Sequence, residues 1–529
     1  MAKPSPRTIE VEGTSPRRFT HVRLLSDNAT AWNAKRHLIA NARHTLDLSY
    51  FILEVDGTTS WLLLDLIDAA ARGVQVRLLV DYFTTFQQAA ALRALGSTPH
   101  LQVRRFGLPT PTWLAALNAA GIDARAFVTG LMTASGPMLA ASLKGNTIFG
   151  ASVANDLHSL PPTPGEGGIG FPIQVLGALR AELNGAPTAA FELAADRDAA
   201  LKKVALLIQI LRGLKQFLHR NHHKLLLADG QWFVMGGRNL SDAYHCGDSS
   251  RGHVFQDTDL LAHDGCAGGS PHARSFDALW NSVQSADITV PDPLDANPPA
   301  TTATFHQSAS ALLATPPGTD LHGGTLLPDM DGELVDNLPS DKGDPAITRV
   351  YIAQIERLRA DGRPASVDIV SAYLFLTDEA NTSETLLALR NTLLMAVAAG
   401  LIVNIYTNSL ASTDLKPVNR AAYPKLVPLI EGGVNVFELA DGQGSLHTKA
   451  AAIGDACLVV GSYNMDPRSE LYDTNNLIVL QDPTGSATSA FRRTCIEALA
   501  WKQLTRDAAR QLARESRTSP SAGITDNLL

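Results

Sequence analysis

Two places in the sequence bring the same three kinds of side chain together at the same spacing. His222 and Lys224 precede Gly236, Gly237, Arg238 and Asn239, while His447 and Lys449 precede Gly461, Ser462, Tyr463 and Asn464; fourteen residues separate histidine from first glycine in each. A histidine and a lysine two residues apart share one face of a strand, because strand side chains alternate with period two. A turn at Asp229, or at Asp455, then returns the chain as a neighbouring strand whose end delivers the asparagine beside that face. Two such hairpins facing one another would make a pocket with two imidazoles and two cations. That combination suits a phosphate diester: lysines and asparagines bind the oxygens on which charge develops, one histidine attacks phosphorus and the other protonates the leaving alkoxide. A single H-x-K-x4-D match, as in His222, Lys224 and Asp229, would be weak evidence in a chain with 15 histidines. The second H-x-K, equally far from its own G-[GS]-x-N, argues against coincidence.

The elements that must position these groups are also duplicated. HTLDLSYFIL (44–53), a helical segment around 61–71 and RGVQVRLLVDY (72–82) read as strand, helix, glycine stop and strand; ASVDIVSAYLF (365–375), a helix around 385–399 and AGLIVNIYTNS (399–409) read the same way. Each is the pattern of a right-handed βαβ unit in a parallel sheet, and each continues to a further strand, LQVRRF (101–106) or GVNVFEL (433–439). From Gly400 to His447 is 47 residues, but from Gly73 to His222 is 149, so the first copy carries an insertion of about 100 residues. The expected division is a flexible N-terminus (1–20), a first half (21–284) with its insertion at about 107–217, a linker or crossover (285–345), a second half (346–510) and a disordered tail (511–529). Within the insertion lie a Pro/Gly patch (159–172) and an amphipathic stretch, ALKKVALLIQILRGLKQFL (200–218), with Lys202, Lys203, Arg212 and Lys215. That stretch reads either as a helix on an anionic membrane surface or, the commoner case, as a core-packed helix with a solvated basic face.

Composition narrows the classes of function. The 529 residues carry a formal charge of −8 and are 45% hydrophobic, and the mean hydropathy is +0.01. A chain-wide disordered state and a single small module are excluded. No run reaches the length of about 18 apolar residues needed to span a bilayer, and the N-terminus lacks the apolar core of a signal peptide. An acidic chain has no overall affinity for polyphosphate backbones, so no nucleic acid is expected as a partner. Cys246, Cys266, Cys457 and Cys495 show no C-x-x-C spacing and read as free thiols in a reducing compartment.

The paired motifs resemble the phospholipase D superfamily, and the wording around them is similar to bacterial cardiolipin synthases of the C type. The phrases that carry the resemblance are AARGVQVRLLVDY (70–82), GGRNLSDAY (236–244), FQDTDLLAHDG (255–265), YTNSLASTD (406–414), LHTKAA (446–451) and GSYNMDPRSE (461–470). It spans about 20–106 and 217–510 and leaves the insertion outside. It implies an α/β fold: two pseudo-twofold-related α-β-α sandwich halves sharing one active site, which works with no metal and no cofactor. It implies a phosphatidyltransferase acting on phospholipids at the cytoplasmic face of the inner membrane, through a covalent phosphatidyl-histidine released by a second alcohol or by water. Carried over residue by residue, His222 is the nucleophile and His447 the general acid, then base, an order that the sequence alone does not fix. Lys224, Lys449, Asn239 and Asn464, with Gly237 and Ser462, bind the phosphate; Asp229 and Asp455 complete the motifs; Asp259 orients a catalytic imidazole or, on the rival reading, is a turn or surface carboxylate. Two positions depart from the pattern. Gly454 stands where the motif has aspartate, with Asp455 one residue later, and Asn475 stands where relatives usually have glutamate. Three other functions stay open at this stage: a hydrolytic phospholipase D, a nuclease of the superfamily, and an inactive lipid-binding scaffold. The insertion could gate the pocket, touch the bilayer or bind a partner protein.

Overall fold

The computed structural model describes residues 17–132, 136–143, 175, 179, 197–245, 254–265, 270–290, 292, 300–309, 323–337, 345–376 and 383–518. The expectations for 1–16, for the Pro/Gly patch at 159–172 and for the last eleven residues lie outside them. The first half contributes β1 (Arg17–Leu25), β2 (Thr45–Tyr50), β3 (Gln75–Asp81), β4 (Leu101–Phe106), β5 (Arg220–Asn221), β6 (Lys224–Ala228), β7 (Trp232–Gly236), β8 (Phe255–Gln256), β9 (Asp259–Asp264) and β10 (Ser285–Asp287). The second contributes β11 (Thr325–Leu326), β12 (Met330–Asn337), β13 (Ser366–Ser371), β14 (Ile402–Thr407), β15 (Asn435–Leu439), β16 (Ser445–Leu446), β17 (Lys449–Ile453), β18 (Cys457–Gly461), β19 (Asp473–Gln481) and β20 (Trp501–Gln503).

Pairing runs β10-β4-β3-β2-β6-β7-β9-β1 in the first half and β20-β15-β14-β13-β17-β18-β19-β12 in the second. Antiparallel pairing of β1 with β12 joins the two ladders, with equivalent strands meeting at the junction. The βαβ units are present as parallel β2-β3-β4 and β13-β14-β15, their first crossovers made by the helices Gly57–Ala71 and Glu384–Ala398. In both halves the hairpin that follows pairs antiparallel to the first of these strands.

Alternation along the strands sorts side chains into layers. In β6, Leu226 and Ala228 join the outer core of the first half beneath the helices Asn28–Asn41 and Gly57–Ala71, whereas Leu225 and Leu227 point into a core shared by both halves. In β17, Ala451 and Ile453 face the outer core of the second half and Ala450 and Ala452 the shared one. The helices Pro271–Trp280 and Ser486–Phe491 contribute to that shared core through Phe276, Leu279, Ala490 and Phe491. Each half is therefore an α-β-α sandwich, as the resemblance implies.

Two stretches differ from the sequence-based expectation. Residues 285–345 are not simply linker: β10, β11 and β12 lie there, and β12 is the second half's counterpart of β1. Its acidic, glycine-bearing MDGELVDN disguises the alternation, yet Met330, Gly332 and Leu334 are buried and Asp331 is exposed. A Cβ at Gly332 would meet the Phe19 ring at 2.2 Å, so the glycine permits close packing on β1. At the other end, the helix Arg506–Thr518 runs past Arg510 and buries Ala509 and Ala513 in the second-half core. Within the insertion, the helix Arg197–Leu218 buries Ile210, Leu214 and Phe217 beside Trp113, whose indole donates to Ile210 O at 3.1 Å. Lys202 and Arg212 are on its exposed side. It is thus core-packed with a solvated basic face. No helix among the described residues is long and apolar enough to cross a membrane. Cys457 and Cys495 are buried free thiols; Cys246 and Cys266 lie outside the described residues.

One feature of the shared core predicts acid sensitivity. His272 is fully buried, stacks on Phe233 at 4.0 Å, and is shifted down to about 3 by burial, with the nearby Arg17 adding to the effect. Below its unfolded value near 6.5 the unfolded chain takes up a proton that the folded chain refuses, so stability falls with pH from there towards the folded value. One such group contributes up to about 1.4 kcal/mol per pH unit. In denaturant titrations at pH 7 and 5, His272→Phe is expected to lose less stability on acidification than the wild type; an equal loss in both would refute the assignment.

Candidate active site

His222 sits between β5 and β6, and His447 between β16 and β17. Each backbone is held by the opposite half: His222 N donates to Thr474 O at 3.0 Å, and His447 N donates to Gln256 O at 2.8 Å. The short parallel pairs β5-β19 and β8-β16 make the same crossed connection. The rings follow the backbone. His447 Nδ1 lies 2.6 Å from Asp257 Oδ2, and His222 Nδ1 lies 2.8 Å from Asn475 Oδ1. In both halves the partner is the residue after the one whose carbonyl holds the histidine, so Asp257 and Asn475 are structural equivalents.

The orientation of Asn475 defines the tautomer of His222. Its amide nitrogen donates to Ser469 O at 3.0 Å, leaving its oxygen, which also accepts from Ser462 Oγ at 3.3 Å, to face the imidazole. Nδ1 of His222 therefore carries the proton and Nε2 keeps its lone pair. At His447 an ionised carboxylate does the same work. Burial opposes ionisation of Asp257, but His447, Lys449 and Arg238 outweigh it and hold the carboxyl below its ordinary range. Both imidazoles are pushed down, first by burial and then by lysines from both halves: Lys224 and Lys449 each act on His222 and on His447. The two clusters thus form one electrostatic unit. Lys224 Nζ donates to His222 O at 2.9 Å and lies 5.0 Å from the centre of the Phe51 ring; Lys449 Nζ bonds to His447 O and lies 5.9 Å from that of Tyr373. Phe51 also packs edge-on against His222, with 4.9 Å between centroids. Asn239 Oδ1 accepts from Ile52 N at 3.2 Å, whereas Asn464 Oδ1 is buried without a hydrogen-bond partner.

Paired imidazoles, amides and lysines, each half completing the other's histidine, set this geometry beside known proteins. A family model described as "Cardiolipin synthase, PLD-like domain" matches residues 361–494. Cardiolipin synthase C of Escherichia coli (strain K12) is 24% identical over 488 residues, covering 87% of this chain and 81% of the relative. The chain is thus similar to cardiolipin synthases over most of its length and to a PLD-like domain over residues 361–494. Cardiolipin synthase 2 of Staphylococcus epidermidis is 27% identical over 251 residues, 47% of this chain and 42% of that protein. Among solved structures, phosphatidylserine synthase of Haemophilus influenzae Rd KW20 shares the fold with a TM-score of 0.55 at 11% identity, covering 97% of both chains.

Against this phospholipase D framework several expected residues take other places. Asp259 touches neither histidine: its carboxylate binds Lys35 Nζ at 2.7 Å and accepts from Arg238 N at 3.1 Å. The histidine partner is Asp257, two residues earlier, because Asp259 begins β9 and pairs with Gly236 inside the ladder. Asp229 lies at the far end of β6, about 16 Å along the strand from Lys224. Its carboxylate accepts from the backbone N–H groups of Arg43, His44 and Thr45 at 2.7–3.2 Å, tying down the start of β2. Asp455 is exposed and pairs with Arg492 at 2.9 Å. Gly454 occupies the position equivalent to Asp229 and has the same left-handed backbone, φ +64° against +51°. Its carbonyl accepts from Arg492 Nη2 at 2.8 Å. The missing aspartate therefore alters a turn remote from His447. Gly237 and Ser462 stand behind the histidine partners: a Cβ at Gly237 would fall 2.2 Å from Asp257 Oδ1, and Ser462 supports Asn475. Leu477 opposite Gly461 is the counterpart of Asp259 opposite Gly236, so Asn475 and Asp257 each stand two residues before that ladder, a correspondence that strand pairing reveals and sequence alone does not.

The buried Lys35–Asp259 pair, each side chain 1% exposed, predicts a stability effect. Asp259→Asn leaves the ammonium without its carboxylate and is expected to cost about 3–5 kcal/mol in urea unfolding. Unchanged stability in that variant would overturn the structural assignment.

Proposed function

We propose that the chain is a phosphatidyltransferase of the cardiolipin synthase kind, which moves a phosphatidyl group between alcohols by way of a phosphatidyl-histidine. The observation that carries this reading is the crossed pair of histidine supports, Asp257 to His447 and Asn475 to His222. A nucleophile needs a free Nε2 lone pair and a defined tautomer, and a neutral amide supplies both without demanding a charge on the ring. An acid and base must bear a proton in one step and lose it in the other, and a carboxylate neighbour stabilises the charged form. His222 is accordingly the nucleophile and His447 the proton carrier.

In the first step His222 Nε2 bonds to phosphorus as the bond to the leaving oxygen breaks, and His447 Nε2 delivers a proton to that oxygen. In the second, an acceptor hydroxyl bonds to phosphorus, the P–N bond breaks and the hydroxyl proton passes to His447. Burial and the two lysines disfavour a protonated His447 in the free enzyme. An anionic phosphodiester seated between Lys224 and Lys449 offsets that positive charge, so substrate binding itself raises the histidine's affinity for the proton it must donate. The substrates are phospholipids, reached by docking on the cytoplasmic face of a membrane.

The test is product identification by mass spectrometry after incubation with mixed phosphatidylglycerol and phosphatidylethanolamine vesicles, with and without added acceptor alcohol. Cardiolipin or a new phosphatidyl alcohol is expected. Phosphatidic acid alone, whatever the acceptor, would make the protein a hydrolase, and DNA cleavage in EDTA with no lipid product would make it a nuclease.

A further inference from the structure

The pseudo-symmetry of the site is broken at Tyr244. Counted from the paired glycines, its equivalent in the second half is Ser469, so the phenol that Tyr244 sets beside His447 has no counterpart at the equivalent position of the other half. Tyr244 is 1% exposed, stacks on Phe255 with 4.4 Å between centroids and meets His447 edge-on at 5.0 Å. Its Oη accepts from Asn239 Nδ2 at 3.0 Å and lies 3.4 Å from His447 Nε2, the nitrogen that exchanges protons with substrate. The direction of every bond in this chain is determined. Ile52 N–H donates to Asn239 Oδ1, which turns the amide nitrogen to the phenol, and Nδ1 of His447 faces the Asp257 carboxylate, which leaves Nε2 of the neutral ring as an acceptor. The phenol is thereby placed to donate to Nε2.

We propose that Tyr244 is a positioning residue whose hydroxyl fills the seat next to His447 Nε2 that a water would otherwise take, so that the phosphatidyl-histidine is released to an alcohol in preference to water. This rests on the transferase reading above and deepens it. At 3.4 Å the phenol is a weak partner, and a substrate hydroxyl approaching to the usual distance of about 2.8 Å displaces it from the lone pair. Without Oη, two buried polar groups, Asn239 Nδ2 and His447 Nε2, face an opening the size of one oxygen atom. A site with two such partners recruits a water, and this water is already hydrogen-bonded to the base. Its attack on phosphorus breaks the P–N bond to His222, forms a P–O bond and passes the proton to His447, yielding phosphatidic acid.

The experiment compares the full-length wild type with Tyr244→Phe, which deletes only the hydroxyl. Phosphatidylglycerol vesicles with glycerol as acceptor give the ratio of phosphatidyl transfer to phosphatidic acid. In parallel, the ring of His447 is titrated without substrate by ¹⁵N-histidine NMR, its signal assigned from His447→Gln. The ratio is expected to fall about tenfold and the ring to titrate up to about one unit higher, because a donor to its neutral form has been lost. An unchanged ratio would overturn the exclusion of water, and an unchanged ring titration would overturn the hydrogen bond. Because the titration needs no turnover, an absence of transfer by the wild type would refute the transferase reading alone and leave the titration to decide the role of Tyr244.

Discussion

His222→Ala is expected to lower phosphatidyl transfer by about 10⁴- to 10⁶-fold, the range seen when a nucleophile is removed from an enzyme that works through a covalent intermediate. The ring is anchored by its own backbone bond to Thr474, by Asn475 at Nδ1 and by the edge-on packing of Phe51. His447→Asn is expected to behave differently. Its first step is slowed, but with a donor whose leaving group needs no proton the adduct forms and then persists, since the acceptor alcohol has no base. Incubation with a ³²P-labelled lipid carrying such a leaving group should label the His447→Asn protein and not the His222→Ala protein. Label on His222→Ala would reverse the assignment of nucleophile and acid.

Asp257→Asn carries the second-largest expected effect, a loss of about 10³- to 10⁴-fold in kcat with little change in KM. The precedent is the buried aspartate behind a catalytic histidine, where an amide admits the wrong tautomer. Two causes act together here. An amide can present its N–H to Nδ1 and so leave the proton on Nε2, and it withdraws the negative charge that raises the affinity of His447 for a proton. The sign follows: without the carboxylate His447 binds its proton more weakly, and the limb on which activity falls with rising pH moves to lower pH. Asn475→Asp should act in the opposite sense on His222, raising its basicity and slowing attack at low pH, where a protonated ring has no lone pair. Equal pH profiles for wild type and both variants would remove the division of labour between the two supports.

Much of this site was legible because its components repeat. The fourteen-residue interval from histidine to glycine is a property of one hairpin, and a hairpin is local: alternation places His and Lys on one face, and the ladder places Asn239 or Asn464 at its end. The βαβ units were legible for the same reason, their apolar runs and glycine stops lying within a few tens of residues. Residues 330–337 were not, because a strand that packs on Phe19 through a glycine and alternates acidic with apolar residues resembles a polar loop in composition. Asp229 misled because the motif names it beside His222 and Lys224, although five residues of extended chain carry it to the opposite end of the sheet.

By itself, the sequence determined the duplicated α/β plan, the two H-x-K pairs and the phosphodiester chemistry they suit. The tertiary structure alone decided what stands behind each imidazole. Asp257 and His447 are 190 residues apart, His222 and Asn475 are 253 apart, and Tyr244 and His447 are 203 apart. Periodicity reports which face of its own element a side chain occupies. It holds no information about which face of another half will dock there, and that docking, driven by the shared core between the sheets, chose Asp257 over Asp259 and set one phenol against one of two otherwise similar histidines.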